Sequence, residues 1–446
     1  MTCHPAAFAA RRTRLLEQMA PGAVAVLGTA PEVARNADSD YPYRHDSHFF
    51  YLTGFPEPEA VVVLVAALAD KPAQALLFCR EKNAEREIWD GFRYGPEAAR
   101  TAFGFDAAFA IAALDAEMAR LLADAPAVYY PVGRDRKTDM QVKRWLDAVR
   151  AQSRGGVTAP DTAHNLLPLL DEMRLFKDDT EIATMRRAAA ISAQAHARAM
   201  KATRPGMREY EIEAELLHEF RRNGAQSPAY TSIVASGANA CVLHYVANND
   251  EIKDGDLVLI DAGCELDGYA SDITRTYPAN GRFTPPQRAL YELVLAAQAA
   301  AFEAIRPGQP YQSVHDAAVR VLVQGMLDLG LLNGGKHGTV DEIIATKAYT
   351  RFYMHGTGHW LGMDVHDVGQ YRDVHTPGKP SRPLRPGMVL TVEPGIYVRP
   401  GDDVPQQYWN IGIRIEDDVL VTNDGYSILS AGAPKTVDEI EQAMAA

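Results

Sequence analysis

The same pattern occurs twice in the sequence, as KDGDLVLIDAG at residues 253–263 and again as RPGMVLTVEPG at residues 385–395. In each copy a carboxylate, Asp261 or Glu393, follows a glycine by six residues on an apolar stretch typical of a buried strand. Two buried strands can resemble each other by composition alone, so this match by itself is weak support for a repeat.

A second pair of stretches matches upstream of the first pair. Both copies begin with Ala-x-Arg-Pro-Gly, in ATRPGMREYEIEAELLHEF at residues 202–220 and in AIRPGQPYQSVHDAAVRVL at residues 304–322. Apolar residues then follow at equal distances from the glycine: Ile212, Leu216 and Phe220 in one copy, and Val314, Ala318 and Leu322 in the other. Each copy therefore predicts a turn followed by an amphipathic helix.

The two pairs of matches differ in spacing. Copies in the helical pair lie 102 residues apart and copies in the strand pair lie 132 apart, which an insertion near residues 334–352 would explain. Because both matches occur in the same order along the chain, they predict a duplicated α+β unit.

Length and composition predict two domains. At 446 residues the chain exceeds the usual size of one hydrophobic core. Hydrophobic residues make up 47% and charged residues 23%, as in ordinary soluble globular proteins. Apolar runs alternate with alanine-rich helical stretches up to residue 174, which predicts an α/β domain at residues 1–174. Long amphipathic helices begin after that point, so residues 175–446 form the second predicted domain.

Charge and cysteine usage limit which binding partners and which cellular compartment fit the sequence. The formal net charge of −13 argues against nucleic acid or an anionic membrane as a partner. The longest apolar run, AVVVLVAALA, is half of what a membrane span needs, and the arginines near the start of the chain have no apolar core before them. A mitochondrial presequence is a less ordinary interpretation of that start than an amphipathic helix.

The sequence has four scattered cysteines without a CxxC pair: Cys3, Cys79, Cys241 and Cys264. This usage suits a reducing compartment, so we expect a cytoplasmic protein.

Carboxylates recur at matching places in both predicted strand pairs. The first strand continues through IDAGCELDGYASDITRTY, where a Leu-Asp-Gly turn predicts a hairpin. Asp261 and Asp272 would then lie nearly opposite each other, with Cβ atoms about 5–7 Å apart. A bulge at the turn glycine would shift this register by one residue. In the second copy, VLTVEPGIYV and IGIRIEDDVLVT place Glu393 and Glu416 in the middle of two further strands.

Four ionised carboxylates in an apolar site repel one another, and some must be protonated unless cations neutralise them. Two divalent ions cancel four negative charges, which predicts a dinuclear metal site. The stretch YMHGTGHWLGMDVHD adds three histidines, His355, His359 and His366. Two glycines between the first two histidines argue against a zinc-binding HExxH helix. As a loop leading into a strand, the stretch lets one histidine face the carboxylates, and the residues alone do not choose which.

These motifs together resemble a known family. DAGCELDGYASDITRT, HGTGHWLGMDVHD, TVEPGIY and GIRIEDD are similar in order and spacing to the motifs of the pita-bread dinuclear metallopeptidases. The stretch RNADSDYPYRHDSHFFYLTGFPEPEA resembles the N-terminal domain of the bacterial Xaa-Pro aminopeptidases, the aminopeptidase P group. The resemblance covers essentially the whole chain. It implies an α/β N-terminal domain and an α+β pita-bread (creatinase/aminopeptidase-like) catalytic domain with an internal pseudo-two-fold duplication.

The resemblance also implies the residues of the site. It assigns five metal ligands, all present in this sequence: Asp261, Asp272, His359, Glu393 and Glu416. It places three histidines in the substrate cleft, His244, His355 and His366, and two further residues near the metals, Tyr397 and Arg414. Four oxygen ligands with one imidazole suit two manganese ions, with cobalt or zinc as substitutes.

The implied activity is release of the N-terminal residue from peptides whose second residue is proline. A hydroxide bridging the metals would attack the carbonyl before proline, while a metal and a histidine stabilise the oxyanion. Glu393 or His366 would relay a proton to the leaving nitrogen. The N-terminal domain would serve oligomerisation, as a tetramer or dimer, and cleft capping. Trp89 would either reach the cleft of a neighbouring subunit or pack in the core.

Three alternatives share the fold. A prolidase would cleave only Xaa-Pro dipeptides on the same site, and the N-terminal domain argues against it. Creatinase works without metals, and a non-catalytic pita-bread binding protein would have lost ligands. The intact ligand set argues against both of these.

Overall fold

The computed structural model describes residues 5–445 and divides the chain into two compact units, Met1–Arg174 and Leu175–Ala446. Within the described range, no helix combines the length and apolarity that crossing a membrane requires. Cys3 lies outside the described residues. The other three cysteines are free and buried.

The first unit is built on a mixed β-sheet. The strands of this unit are β1 (Val24–Gly28), β2 (Ala34–Asn36), β3 (Ser39–Asp40), β4 (Val61–Val65), β5 (Gln74–Cys79), β6 (Ala107–Ala110), β7 (Ala127–Tyr130) and β8 (Thr162–Asn165). The helices are α1 (Pro5–Leu16), α2 (Ser47–Thr53), α3 (Ala84–Asp90), α4 (Gly95–Phe103), α5 (Leu114–Leu121), α6 (Arg136–Arg150) and α7 (Leu167–Leu175). Six strands form one sheet in the order β6-β5-β4-β1-β7-β8. The β-branched run of β4 lies buried at its centre, as β propensity favours. The predicted α/β class of this domain is confirmed.

The second unit combines long helices with short strands. The helices are α8 (Asp179–Ala202), α9 (Glu209–Arg222), α10 (Pro285–Glu303), α11 (Gln312–Asp328), α12 (Gly334–His337), α13 (Val340–Thr346) and α14 (Val437–Ala445). The strands are β9 (Ser227–Pro228), β10 (Ile233–Ser236), β11 (Leu257–Asp261), β12 (Cys264–Leu266), β13 (Tyr269–Ala270), β14 (Thr274–Pro278), β15 (Val389–Val392), β16 (Gly395–Val398), β17 (Ile411–Arg414), β18 (Asp417–Val421) and β19 (Tyr426–Ile428).

The predicted duplication is visible in the order of these elements. In each copy a pair of packed helices, α8 with α9 or α10 with α11, precedes the strands that carry the carboxylates. The predicted apolar positions on α9 and α11 are all at most 3% exposed. Helices α12 and α13 occupy the predicted insertion between α11 and β15. The α+β class with an internal repeat is therefore confirmed.

The first copy folds as the predicted hairpin, with a two-residue turn. Leu266 pairs with Tyr269, and both turn residues, Asp267 and Gly268, have positive φ. This conformation suits Asp-Gly and matches the twist of the flanking strands. The turn therefore sets the register of the whole hairpin.

That register corrects one expectation about the carboxylates. The residue opposite Asp261 is Thr274, so Asp272 lies diagonally across the hairpin and just before β14. Diagonal neighbours on one face of a sheet remain within reach of a shared partner, and both aspartates do share one, as described below.

The expectation that Glu393 and Glu416 lie in the middle of strands is wrong. Glu393 follows the last residue of β15, and Glu416 lies between β17 and β18. The break after β15 has a local cause, since Pro394 has no N–H to donate to a strand ladder. Strand partners change at these breaks, so that β15 pairs with β18 whereas β16 pairs with β17. Each glutamate thus lies at a strand end where the pairing partner changes.

We predict that Gly263→Ala destabilises the protein by about 1–3 kcal/mol, the usual range for overpacking. A Cβ at Gly263 would lie 1.7 Å from the carbonyl oxygen of Ser271, on the opposite arm of the hairpin. Gly425→Ala is the control, because a Cβ there meets no atom within 4 Å. Thermal unfolding of both variants measures the difference, and equal melting temperatures would refute the proposed close approach.

Candidate metal centre

One cleft in the second unit gathers the predicted site residues. Its volume is about 430 Å³. Its lining includes all five predicted ligands: Asp261, Asp272, His359, Glu393 and Glu416. The three predicted cleft histidines and Arg414 line it as well: His244, His355, His366 and Arg414. Residues far apart in sequence therefore meet at one place.

The loop that carries His359 fixes the direction of its ring. The backbone N–H of His359 donates to Oγ1 of Thr391 (3.1 Å), and the N–H of Thr391 donates back to the carbonyl of His359 (2.9 Å). Nδ1 lies 3.0 Å from the carbonyl oxygen of Trp360, which leaves Nε2 free to face the cleft. Nε2 lies 3.4 Å from Asp272 and 3.7 Å from Glu393. His359 thus approaches two of the carboxylates, whereas Nδ1 of His355 lies 3.8 Å from Glu393.

The carboxylates approach one another closely. Within the described part of the chain, the ligand atoms of Asp272, His359 and Glu416 lie within 4.8 Å of one another. Tyr230 connects Asp261 to this group, because its hydroxyl lies 2.6 Å from Oδ1 of Asp261 and within hydrogen-bond distance of Oδ1 of Asp272. No motif pointed to Tyr230 in the sequence, and only the fold reveals its position.

A chain of hydrogen bonds runs from Asp261 to His355. Arg414 donates through Nη2 to Oδ2 of Asp261 (2.6 Å) and through Nη1 to the hydroxyl of Tyr397 (3.0 Å). That hydroxyl lies 2.8 Å from Nε2 of His355. Arg414 also donates through Nε to Oγ1 of Thr274, 3.2 Å away. The predicted neighbours of the metals therefore connect one carboxylate with a cleft histidine.

Burial governs the charge of the carboxylates. Burial raises the pKa of Asp272, raises that of Glu393 to about 7 and raises that of Glu416 well above its usual range. Asp417, next to Glu416, shows the opposite result. Burial alone would raise the pKa of Asp417 too, but the cations of Arg275 and Lys435 outweigh it and lower that pKa. At Glu393 and Glu416, by contrast, burial outweighs the charge of Arg414, so protein cations compensate these carboxylates only in part.

Three histidines of the cleft fall into two groups by the direction in which their pKa is shifted. Burial opposes a charge on His359, but the hydrogen bond and charge of Asp272 outweigh it and raise the pKa of His359 to about 9. Burial and the charge of Arg414 lower the pKa of His355 to about 3. Burial, followed by the charges of His359 and His244, also lowers the pKa of His366. His355 and His366 are therefore neutral near pH 7.

These groups fit two divalent cations. Hard carboxylate oxygens with one imidazole form a donor set that suits Mn²⁺ and similar ions. Two such ions would cancel the charge of four carboxylates, and a cation would hold His359 in its neutral form. The five residues could therefore hold a dinuclear centre, and each ligand assignment stays a prediction.

Trp89 lies on α3 of the first unit, at its surface. Its side chain is 80% exposed, beside Ile88 at 81% and near Phe92 at 65%. The alternative in which Trp89 packs in the core is therefore wrong. An aromatic residue this exposed is available to a partner.

We predict that Asp272→Ala loses bound metal as well as activity, because it removes a carboxylate shared by the closest ligand group. Metal content by mass spectrometry after gel filtration measures the loss. Asp424→Ala, an exposed carboxylate near β19, is the control and should keep its metal. Retention of two ions per chain in Asp272→Ala would show that Asp272 is not a ligand.

Comparison with known proteins identifies both units. Residues 183–423 match the model of metallopeptidase family M24, and residues 8–129 match that of the aminopeptidase P N-terminal domain. The chain is 48% identical to the Xaa-Pro aminopeptidase of Escherichia coli (strain K12), over 98% of this chain and 97% of that protein.

Solved structures agree over the full length. The structure of Pseudomonas aeruginosa aminopeptidase PepP matches with a TM-score of 0.95 and 51% identity, covering 99% of this chain and 98% of that one. Zinc-substituted Escherichia coli aminopeptidase P in complex with product matches with a TM-score of 0.94 and 48% identity, over the same shares. The predicted pita-bread fold is confirmed, and the chain belongs to metallopeptidase family M24, with an aminopeptidase P N-terminal domain.

Proposed function

We propose that this protein is an Xaa-Pro aminopeptidase, which hydrolyses the bond before proline in peptides whose second residue is proline. The observation that carries the proposal is one cleft in which four carboxylates and His359 meet three further histidines. Relatives that are 48% and 44% identical over 98% of this chain are named Xaa-Pro aminopeptidase.

Asp261, Asp272, His359, Glu393 and Glu416 would hold two divalent cations, and manganese is the ion we propose. When bound, the cations polarise the substrate carbonyl and provide activated water near neutral pH. Zinc remains a possible substitute, as in the zinc-substituted relative, and so does cobalt. The carboxylates would also attract the free amino group that distinguishes the N-terminus of a peptide.

The neighbouring histidines would handle protons and orient the substrate. Cleavage before proline releases a secondary amine, whose nitrogen must gain a proton as the bond breaks. His366 stands at the exposed side of the cleft with its ring 4.2 Å from that of His359, centre to centre. Its lowered pKa keeps it neutral near pH 7, so a ring nitrogen can accept a proton and pass it on, and Glu393 is the second group placed for this relay.

The remaining histidines would bind the substrate. His355 is held by the hydroxyl of Tyr397 and stays neutral, so it can contribute a hydrogen bond without adding charge. His244 also lines the cleft, and either histidine could stabilise the carbonyl oxygen as negative charge develops on it. Arg414 donates to both Tyr397 and Asp261 and thereby connects the hydroxyl that holds His355 with a cleft carboxylate.

Hydrolysis of an Xaa-Pro-Xaa peptide, compared with Gly-Pro, tests this function directly. With manganese added, the aminopeptidase proposal expects cleavage of the longer peptide at the bond before proline. A prolidase would cleave Gly-Pro and leave the longer peptide intact, and a binding protein would cleave neither.

We also propose a location and an assembly. The three described cysteines are unpaired, which suits the cytoplasm. A homo-oligomer, either a tetramer or a dimer, would give the exposed hydrophobic cluster of Ile88, Trp89 and Phe92 a partner surface. In such an assembly Trp89 would close the cleft of a neighbouring subunit over the substrate.

We expect His366→Ala to keep both metals and to lose about 10²- to 10⁴-fold in turnover, the usual contribution of a general acid–base group. The measurements are turnover on an Xaa-Pro-Xaa peptide and metal content. His375→Ala, on an exposed loop, is the control and should remain near wild type. A loss of metal comparable to that of His359→Ala would instead make His366 a ligand.

For Trp89→Ala we expect an unchanged melting temperature and metal content, because the side chain is exposed. Cleavage of longer peptides should weaken more than cleavage of dipeptides, since contacts with the distal part of the substrate are removed. Met140→Ala, an exposed apolar residue of the same unit, controls for a general surface effect. Equal losses on both substrate classes would contradict the capping role.

A further inference from the structure

Glu209, the first residue of α9, is a buried carboxylate that collects hydrogen bonds. It is 0% exposed. Oε1 accepts from the N–H of Ser236 (2.7 Å), the hydroxyl of Ser236 (2.8 Å) and Nδ2 of Asn239 (3.1 Å). Oε2 accepts from the hydroxyl of Tyr245 (2.7 Å) and the N–H of Asp250 (2.9 Å). A buried carboxylate supplied with this many donors is rigidly held.

All of these donors lie on one segment, residues 236–250, which we call the His244 loop. Ser236 ends β10 at one end of the loop, and Asp250 stands at the other end. His244 lies near its middle and lines the metal cleft. The loop between residues 242 and 249 has no helix or strand to hold it, and Val246 is 53% exposed. Its shape therefore depends on side-chain anchors, and Glu209 meets the loop at both ends and next to His244.

A second anchor on α9 supports the same loop. Asn248 accepts from the N–H of Val234 (3.0 Å) and donates to the carbonyl of Ser232 (2.9 Å). It also donates to Oε2 of Glu213 (3.0 Å), one turn after Glu209 on α9. The start of α9 thus contacts the loop at two successive turns.

The duplicated half repeats this arrangement with different chemistry. At the spacing of the helical repeat, Glu209 and Glu213 correspond to Tyr311 and His315, at the start of α11. The Tyr311 hydroxyl donates to the carbonyl of Gly358, and Nδ1 of His315 lies 2.9 Å from Oγ1 of Thr357. Both partners belong to the loop that carries the other cleft histidines. Each repeat helix therefore begins with two residues that hold a histidine-bearing loop.

We propose that Glu209 is a positioning residue for His244 and acts through the hydroxyl of Tyr245, an inference that rests on the proposed function for its catalytic consequence. Tyr245 turns towards α9 while its neighbour His244 lines the cleft, so the bond from Tyr245 to Glu209 fixes the direction in which His244 points. A side chain displaced by about 1 Å can cost an enzyme about 10²-fold in rate. The anchor thereby sets how well His244 meets the substrate.

A double-mutant cycle separates positioning from a general structural effect. In the wild-type background, Tyr245→Phe should lower kcat/KM on an Xaa-Pro-Xaa peptide roughly tenfold, through loss of the hydrogen bond from the hydroxyl of Tyr245 to Glu209. In the His244→Ala background the same change should alter kcat/KM less than about twofold, since the positioned side chain is gone. Tyr426→Phe is the matched control, because its hydroxyl also meets a glutamate, Glu303 at 3.4 Å. It should leave kcat/KM unchanged in both backgrounds.

A measurement that needs no activity completes the test. In zinc-loaded protein labelled with ¹³C at histidine, the His244 signal is identified by its absence in His244→Ala. Tyr245→Phe and Glu209→Gln should shift or broaden that signal, whereas Tyr426→Phe should not. An unchanged signal in Tyr245→Phe, or an equal tenfold loss in both backgrounds of the cycle, would overturn the inference. A wild-type protein that cleaves no Xaa-Pro-Xaa peptide would instead refute the proposed function, and the signal would still report on the anchor.

Discussion

Repulsion among carboxylates in one buried cleft is the constraint on which the second unit depends. Burial raises the pKa of Asp272, Glu393 and Glu416, so the site resists carrying their charges by itself. The neighbouring Asp417 has a lowered pKa because Arg275 and Lys435 supply its counter-charge from within the protein. Arg414 offsets the charge of the cleft only in part, so the cleft is suited to external cations.

In both copies of the repeat, the cleft carboxylates lie where strands end or begin. Asp261 ends β11, and Glu393 follows β15 at the matching place of the second copy. The other two carboxylates, Asp272 and Glu416, lie just before β14 and β18. In an uninterrupted strand, successive side chains point to opposite faces of the sheet. Breaks in the strands free the four carboxylates from this alternation, so that all four can face the same cleft. The same repeat provides the anchors at the starts of α9 and α11, so one architectural unit positions both the carboxylates and the histidine-bearing loops of the cleft.

The sequence revealed the pairing of Asp261 with Glu393 because both follow a glycine at the same distance on similar apolar stretches. The sequence also shows why Glu393 is not in the middle of a strand, since Pro394 directly after it marks the end of a strand ladder. The hairpin register depended on which residues form the turn, and only the structure decided this. Tyr230 and Glu209 could not be found from sequence, because each acts on residues more than 25 positions away, without a motif. The residues alone left three histidines open and the resemblance assigned His359, whereas the structure adds the contact of Nδ1 with the carbonyl of Trp360, which turns Nε2 towards the cleft.

The most direct test of cation compensation is the stability of metal-free protein as a function of pH. The folded-state pKa of Glu393, about 7, lies above its usual 4.5, and that of His359, about 9, lies above 6.5. Both groups hold protons in the folded state, so the stability they contribute is present at low pH and falls as pH rises through these values. We predict that protein stripped of metal by a chelator melts at a lower temperature at about pH 8 than at about pH 5. Two equivalents of manganese per chain should restore the melting temperature at the higher pH. Equal melting temperatures at both pH values, with no stabilisation by manganese, would contradict the central claim.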